Sequence, residues 1–174
     1  IAKMNALVET PIIEALYRAG VAGVEIDLII RGICCLRPGV PGLSERIRVR
    51  SIVDRFLEHA RVWYFDNAHQ PELYVGSADW MPRNLHRRIE VVFPIEDGRL
   101  RERLREEILG TELADNTKAR RLLPDGSYRI PPRSPGEIPR RAQVEFIASA
   151  LKSRSGRQAE RKSSVEKLVV RTRP

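Results

Sequence analysis

Strand, helix and strand patterns follow one another over residues 1–30, and that order commits the chain to an α/β architecture. Ile1-Ala-Lys-Met-Asn reads as the end of a strand. Thr10-Pro11 then opens a helix, with Thr10 as N-cap and Pro11 at the first helical position, where a missing N–H costs nothing. Ile12, Ile13, Leu16, Tyr17 and Ala19 recur at helical spacing, and Gly20 and Gly23 suit its end. Val24 to Ile30 alternates as a strand and delivers Arg31 and Gly32 at its carboxyl end. In α/β folds, ligands collect beyond the carboxyl ends of such strands.

Later segments extend the pattern. Residues 37–44 hold two prolines and two glycines and form an irregular loop. Ile47 to Val53, Ala60 to Phe65, Leu73 to Ser77 and Arg88 to Pro94 are further strand candidates, with a turn over Asn67 to Pro71. Asp97 to Leu109 predicts an amphipathic helix capped by Asp97, on the spacing of Leu100, Leu104 and Ile108. The proline-rich stretch 111–139 predicts extended, irregular chain, and a last helix is expected over about Ala142 to Lys152. Residues 153–174 are mostly Lys, Arg, Ser and Glu and predict a basic, disordered tail after a domain spanning 1–152. The sequence shows no internal repeat. Because it begins at Ile1 inside a strand pattern, it is expected to be a piece of a longer polypeptide.

The 174 residues carry a formal charge of +8, from 31 Lys and Arg against 23 Asp and Glu. That balance favours a polyanionic partner without choosing among nucleic acid, nucleotide, inorganic phosphate polymer and anionic lipid. Part of the excess lies beyond residue 139, where it also solvates a tail. Cys34 and Cys35 are the two cysteines. As neighbours they suit neither an unstrained disulfide nor a metal site, which implies a reduced, cytoplasmic setting. No apolar run is long enough to cross a bilayer.

Chemistry concentrates between residues 59 and 80. His59 and Arg61 are two apart, Asp66 follows, and Gly76-Ser77-Ala78-Asp79-Trp80 comes after a short gap. A histidine moves a proton or a phosphoryl group near neutral pH, and a cation beside it neutralises phosphate oxygens in the transition state. On a strand from residue 59 to 65, both side chains would share a face. Arg31 at its strand end is a further phosphate-binding candidate, though it suits a salt bridge equally well. On a strand over 88–94, Arg88 and Glu90 share a face, so Glu90 is the candidate to accept a hydrogen bond from His59 and fix its tautomer. His69 in a turn and His86 in a polar loop read as structural. Trp63, Tyr64 and Phe65 read as core rather than a stacking platform for bases.

The His-x-cation-x4-Asp and Gly-Ser arrangement resembles the phospholipase D superfamily, with Arg61 where that family has Lys and Asp79 near its usual Asn. Longer strings resemble the C-terminal part of bacterial polyphosphate kinases of the first type. They are Lys3-Met-Asn-Ala-Leu, Ile26-Asp-Leu-Ile-Ile-Arg-Gly-Ile-Cys-Cys-Leu-Arg-Pro-Gly, Arg55-Phe-Leu-Glu-His and Ser77-Ala-Asp-Trp-Met-Pro-Arg-Asn-Leu. This resemblance implies a phospholipase D-like domain with a mixed β-sheet flanked by helices. It implies reversible transfer of the terminal phosphate of ATP to inorganic polyphosphate, with ATP and ADP bound, through a phosphohistidine and with Mg2+. The phosphohistidine and the Mg2+ ligands are expected in a preceding domain of the same polypeptide, and no metal ligand is expected here. By the same resemblance His59 assists as proton donor or acceptor, and Arg31 and His59 contact nucleotide phosphates with help from Arg88, while Arg61 suits the same charge neutralisation. A homo-oligomer in the cytoplasm, with room for peripheral membrane association, is also implied. No nucleic-acid partner is expected. Two other readings stay open: a phospholipase D-like phosphodiesterase acting as a homodimer, and a basic module that binds nucleic acid or polyphosphate.

Overall fold

A computed structural model describes residues 1–153, so the expected tail over 153–174 lies almost wholly outside the described residues. The chain divides into two compact units, Ile1–Arg141 and a second that starts at Ala142. In the second, residues 142–153 are helical, as the sequence predicts.

The first unit is built on one mixed sheet. Its strands are β1 (Ala2–Met4), β2 (Ile26–Ile30), β3 (Ile47–Ile52), β4 (Arg61–Phe65), β5 (Glu72–Gly76), β6 (Val92–Pro94), β7 (Ala119–Leu122) and β8 (Tyr128–Arg129). They lie in the order β6-β5-β4-β1-β2-β3-β7-β8. The β1–β2 and β2–β3 pairs are parallel and the others antiparallel. The helices are α1 (Thr10–Val21), α2 (Pro82–Arg87) and α3 (Gly98–Arg103), which runs on through a π-helical stretch (Leu104–Gly110) into α4 (Thr111–Leu113).

Alternation along the strands separates two cores. Ala2, Met4, Leu28, Ile30, Val49 and Trp63 face one side and pack with Ile13 of α1. Ile29, Val62, Tyr64 and Leu73 face the other side, with Leu109 of the π-helical stretch. Each buried side chain of Leu or Ile size contributes about 1.5–3 kcal/mol by leaving water, so the cores fix which face every strand presents.

Several expectations are corrected. Thr10 is the first helical residue of α1 rather than its cap. Glu9 holds the cap position and makes no side-chain cap bond, because its carboxylate meets His86 Nε2 at 2.9 Å. His86 sits on the short helix α2 rather than in a loop. The strand expected over 88–94 shrinks to Val92–Pro94 because α2 and its exit occupy the residues before it. The helix expected to end at Leu109 continues to Leu113, and the irregular 111–139 stretch contains the β7–β8 hairpin. Its turn is Pro124-Asp125-Gly126, with Gly126 at φ 85° and Leu123 N–H donating to the Ser127 carbonyl at 2.9 Å. Trp63 and Tyr64 are buried as expected, whereas Phe65 is half exposed.

Candidate active site

The parallel strands β1 and β2 end at one edge of the sheet, where Asn5 and Arg31 follow them. The neighbouring β4 runs the other way, so its first residue, Arg61, lies at the same edge, and β5 returns there to deliver Ser77 to Asp79. After β3 the chain passes through an irregular stretch that brings Glu58 and His59 to this edge before β4 begins. The site therefore assembles beyond the carboxyl ends of parallel strands, as α/β topology directs.

His59 precedes the strand rather than lying in it, so strand alternation does not place it beside Arg61. Hydrogen bonds do. Arg61 Nη1 donates to the His59 carbonyl at 2.8 Å and contacts His59 Nδ1. A guanidinium can only donate, so Nδ1 must accept and the proton of neutral His59 sits on Nε2. Nε2 is 3.5 Å from Arg61 Nη2, too far to be satisfied by it, and is left to serve another partner. Limited desolvation, followed by the positive charges of Arg61 and Arg31, lowers the His59 pKa below its ordinary value, with Asp79 opposing. His59 is exposed and neutral at pH 7.

Arg61 is itself held from below. Its Nε donates to Asp79 Oδ1 at 3.2 Å and its Nη2 to Oδ2 at 3.1 Å. Asp79 also accepts from the Asn5 backbone N–H at 2.8 Å and from Asn5 Nδ2 at 3.1 Å. Burial alone would raise the Asp79 carboxyl, but these hydrogen bonds outweigh it and hold the group below the usual carboxylate range. Asp79, at the position that resembles a family Asn, thus anchors Arg61. A carboxylate can accept the two parallel donors of a guanidinium, which an amide oxygen and NH2 group cannot.

Arg31 makes no ion pair among the described residues. Its Nη1 donates to the Glu58 carbonyl at 2.9 Å, and Ser51 Oγ donates to the Arg31 carbonyl at 2.9 Å. Its positive charge is uncompensated and acts on His59. Arg88 is exposed at the exit from α2, and its charge acts on Glu90.

Glu90 does not make the hydrogen bond to His59 that strand pairing suggested. Its two oxygens accept from Ser77 Oγ and Asn84 Nδ2, and these bonds lower its pKa. The reason is that residues 88–91 leave α2 as irregular chain beside Gly76-Ser77, with Ser77 N–H donating to the Val91 carbonyl at 2.9 Å. Gly76 closes β5 rather than forming a turn. A Cβ there would lie 2.5 Å from the Val91 carbonyl oxygen, so only glycine admits that segment. Asp66 sits at the far end of β4, accepts from Tyr64 Oη at 3.2 Å and lies 3.7 Å from His69. It is no part of the site.

Among the described residues, no three His, Cys, Asp or Glu side chains are grouped as a metal ion would require. The described residues therefore do not fit a magnesium site. No helix among the described residues is long and apolar enough to cross a membrane. Sequence reasoning missed the buried Lys3–Glu58–Glu112 cluster, in which Lys3 Nζ lies 2.8 Å from Glu58 and 2.6 Å from Glu112. Lys3, a lone cation between the apolar Ala2 and Met4, was the available signal.

Comparison with known proteins places this geometry. The family described as polyphosphate kinase C-terminal domain 2 matches residues 1–143. The polyphosphate kinase of Thermosynechococcus vestitus is 56% identical over 156 residues, covering 90% of this chain and 21% of that protein. Polyphosphate kinase 1 of Chlorobaculum tepidum is 57% identical over 130 residues, covering 75% of this chain and 18% of that protein. A crystal structure of polyphosphate kinase from Porphyromonas gingivalis superposes with a TM-score of 0.81 at 46% identity, over 88% of this chain and 23% of that one. The chain thus spans about a fifth of the length of these relatives.

Proposed function

The chain belongs to the polyphosphate kinase C-terminal domain family, and on that premise we propose that it supplies one side of an active site that moves the terminal phosphate of ATP reversibly onto inorganic polyphosphate. The observation that carries the reading is His59, neutral at pH 7, with Nδ1 occupied by Arg61 and Nε2 free beside the uncompensated charge of Arg31.

In this reading the phosphorus–oxygen bond to ADP breaks as a histidine outside this chain accepts the phosphoryl group, and a terminal polyphosphate oxygen later displaces that histidine. His59 Nε2–H donates to a phosphate oxygen as charge builds there, and Arg31 neutralises the same group. Arg88 meets phosphate from the exit of α2. Arg61 contributes field and posture rather than a free hydrogen-bonding fork, since Asp79 holds it. Glu90 acts by fixing Ser77 and Asn84. Phosphoryl transfer depends mainly on such positioning and charge neutralisation. Mg2+ would enter with the nucleotide, held by residues of the remaining polypeptide. Partners are that polypeptide, a second copy of it in a homo-oligomer, and the two anionic substrates. The setting is cytoplasmic. The catalytic unit covers residues 1–152, followed by a basic tail.

The test is His59→Ala in the full-length polypeptide. Polyphosphate synthesis is expected to fall by about 10²–10⁴, the range that positioned acid–base groups contribute. Near-normal turnover with ATP would remove His59 from the mechanism. Hydrolysis of a phosphodiester by the unmodified protein, without transfer from ATP, would favour the phosphodiesterase reading instead.

A further inference from the structure

Between β3 and β4 the chain crosses the end of the sheet. In the strand order β1 and β2 lie between those two, so residues 53–60 pass the carboxyl ends of both and deliver His59 just before β4. Three strand spacings of about 4.8 Å separate β3 from β4, about 14 Å in all. The chain from Ile52, the last residue of β3, to Arg61, the first of β4, could extend to about 30 Å. The crossing therefore carries about twofold slack, and His59 rides on it.

Core burial does not take up that slack. Residues 53–60 lie outside helix and strand, and Val53, Phe56 and Leu57 are each more than half exposed. Polar anchors hold the crossing instead. At its end Glu58 pairs with Lys3 at 2.8 Å, the Glu58 carbonyl accepts from Arg31 Nη1 at 2.9 Å, and the His59 carbonyl accepts from Arg61 Nη1 at 2.8 Å. At its start the anchor is Asp54, whose side chain is only 3% exposed. It takes both prongs of one guanidinium. Arg141 Nε donates to Oδ2 at 2.7 Å and Arg141 Nη2 to Oδ1 at 2.6 Å. Oδ1 also accepts from the Arg55 N–H at 2.8 Å. A two-pronged pair fixes direction as well as distance, which a point charge does not.

Arg141 is the last residue of the first unit, and its own seat is bonded in place. Asn116, just after α4, grips the backbone of the neighbouring Arg140 on both sides. Its N–H donates to the Arg140 carbonyl at 3.2 Å, and its Oδ1 accepts from the Arg140 N–H at 2.7 Å. Its Nδ2 donates to the Ile138 carbonyl at 3.0 Å and to Glu137 Oε1 at 2.8 Å. The proline-rich stretch thus ends on a fixed post, from which Arg141 reaches a segment 87 residues earlier.

We propose that Arg141 is a positioning residue: by clamping Asp54 it removes the slack at the start of the crossing and so sets where His59 presents Nε2. The proposal rests on the phosphoryl-transfer reading of the site. Arg31 is seated at the end of β2, with Ser51 Oγ donating to its carbonyl at 2.9 Å, so its place is set independently of the clamp. Nucleotide binding and turnover should therefore respond differently when the clamp is broken.

The test uses Arg141→Leu and Asp54→Asn in the full-length polypeptide, each alone and in a His59→Ala background. Arg141→Leu should lower kcat for polyphosphate synthesis by on the order of 10- to 100-fold, as misplacing a reacting group does. KM for ATP should change by less than about threefold, since ground-state binding is kept. Asp54→Asn removes the charge but keeps acceptors for Arg55 and Arg141, and its loss should be smaller. In the His59→Ala background neither substitution should lower kcat further by more than about twofold, because groups that act through one another are not additive. Hydrogen exchange read by mass spectrometry should quicken in residues 53–60 of Arg141→Leu and stay slow in β1, β2 and β3. A full-size loss of kcat in the His59→Ala background would overturn the proposal, since a purely structural role acts there undiminished. An unchanged kcat in folded Arg141→Leu would overturn it too. If Arg141→Leu does not fold, Asp54→Asn carries the same comparison. If the unmodified polypeptide transfers no phosphate, the functional reading falls, and exchange in residues 53–60 alone decides the clamp.

Discussion

Arg61 is bonded to Asp79 through Nε and Nη2 while Nη1 reaches back to His59, so one side chain joins a buried anion to an exposed imidazole. Truncating it strands the Asp79 charge among Asn5 and backbone. Arg61→Met should therefore destabilise the fold by about 3–5 kcal/mol, the range for breaking a buried pair from one side, as measured by urea denaturation. The double variant Arg61→Met, Asp79→Leu should recover most of that loss, because no charge is left unpaired. A double variant no more stable than the single one would show that Asp79 is not the reason. At Arg31 the expectation is electrostatic. Arg31 helps to depress the His59 pKa, so Arg31→Gln should raise it, detected by NMR titration, and weaken the apparent affinity for ATP. An unchanged His59 pKa would place the Arg31 charge elsewhere. Part of this was legible: Arg31 at a strand end was readable from the pattern, whereas His59 and Arg61 meet through hydrogen bonds and not through the strand spacing that suggested the pair. The Asp79 anchor was not, since it joins residues 18 apart across two strands.

At the scale of elements, legibility followed periodicity. The strands β2 and β3 were readable from alternation and β4 and β5 as short apolar runs between turn signals, all to within a few residues. The β7–β8 hairpin was not, because Ala-Arg-Arg-Leu of β7, paired between β3 and β8, sets two exposed arginines side by side and carries no alternation. The helical run 98–113 was half readable. Asp97 caps it as expected, accepting from the Arg99 and Leu100 N–H groups, each at 2.9 Å. Asp97→Ala should cost about 1 kcal/mol in thermal or chemical denaturation. The π-helical stretch was invisible, and it matters. Its extra residue per turn rotates the buried face away from Leu100 and onto Leu109, and then carries Glu112 inward. The same reasoning applies to Gly76, where strand β5 must let the Val91 carbonyl pass. Gly76→Ala should destabilise by about 1–3 kcal/mol, with β6 the first strand to lose amide protection in hydrogen exchange. Uniform protection across β5 and β6 would refute that close approach.

Taken whole, the described residues place the candidate phosphate-facing side chains at one edge of the sheet, and these are cations or a neutral imidazole. The sequence has three histidines, and the other two are engaged away from His59. His69 lies beside Asp66 at the far end of β4, and His86 is bonded to Glu9. On the proposed reading neither is the histidine that accepts the phosphoryl group. The chemistry proposed above thus needs a second histidine from another part of the polypeptide, which accords with a chain spanning about a fifth of its relatives. A sharp separation of binding from turnover follows. The chain alone should bind polyphosphate through its net charge of +8, and that affinity should fall steeply with added salt as counterions compete. Yet it should release no ADP and lengthen no chain from ATP and polyphosphate, whereas the full-length polypeptide should. Fluorescence anisotropy with labelled polyphosphate and a coupled ATP assay on the same folded preparation would measure both. Turnover by the chain alone would mean that His59 itself accepts the phosphoryl group, and the division of labour argued from Nδ1 and Nε2 would have to be reversed.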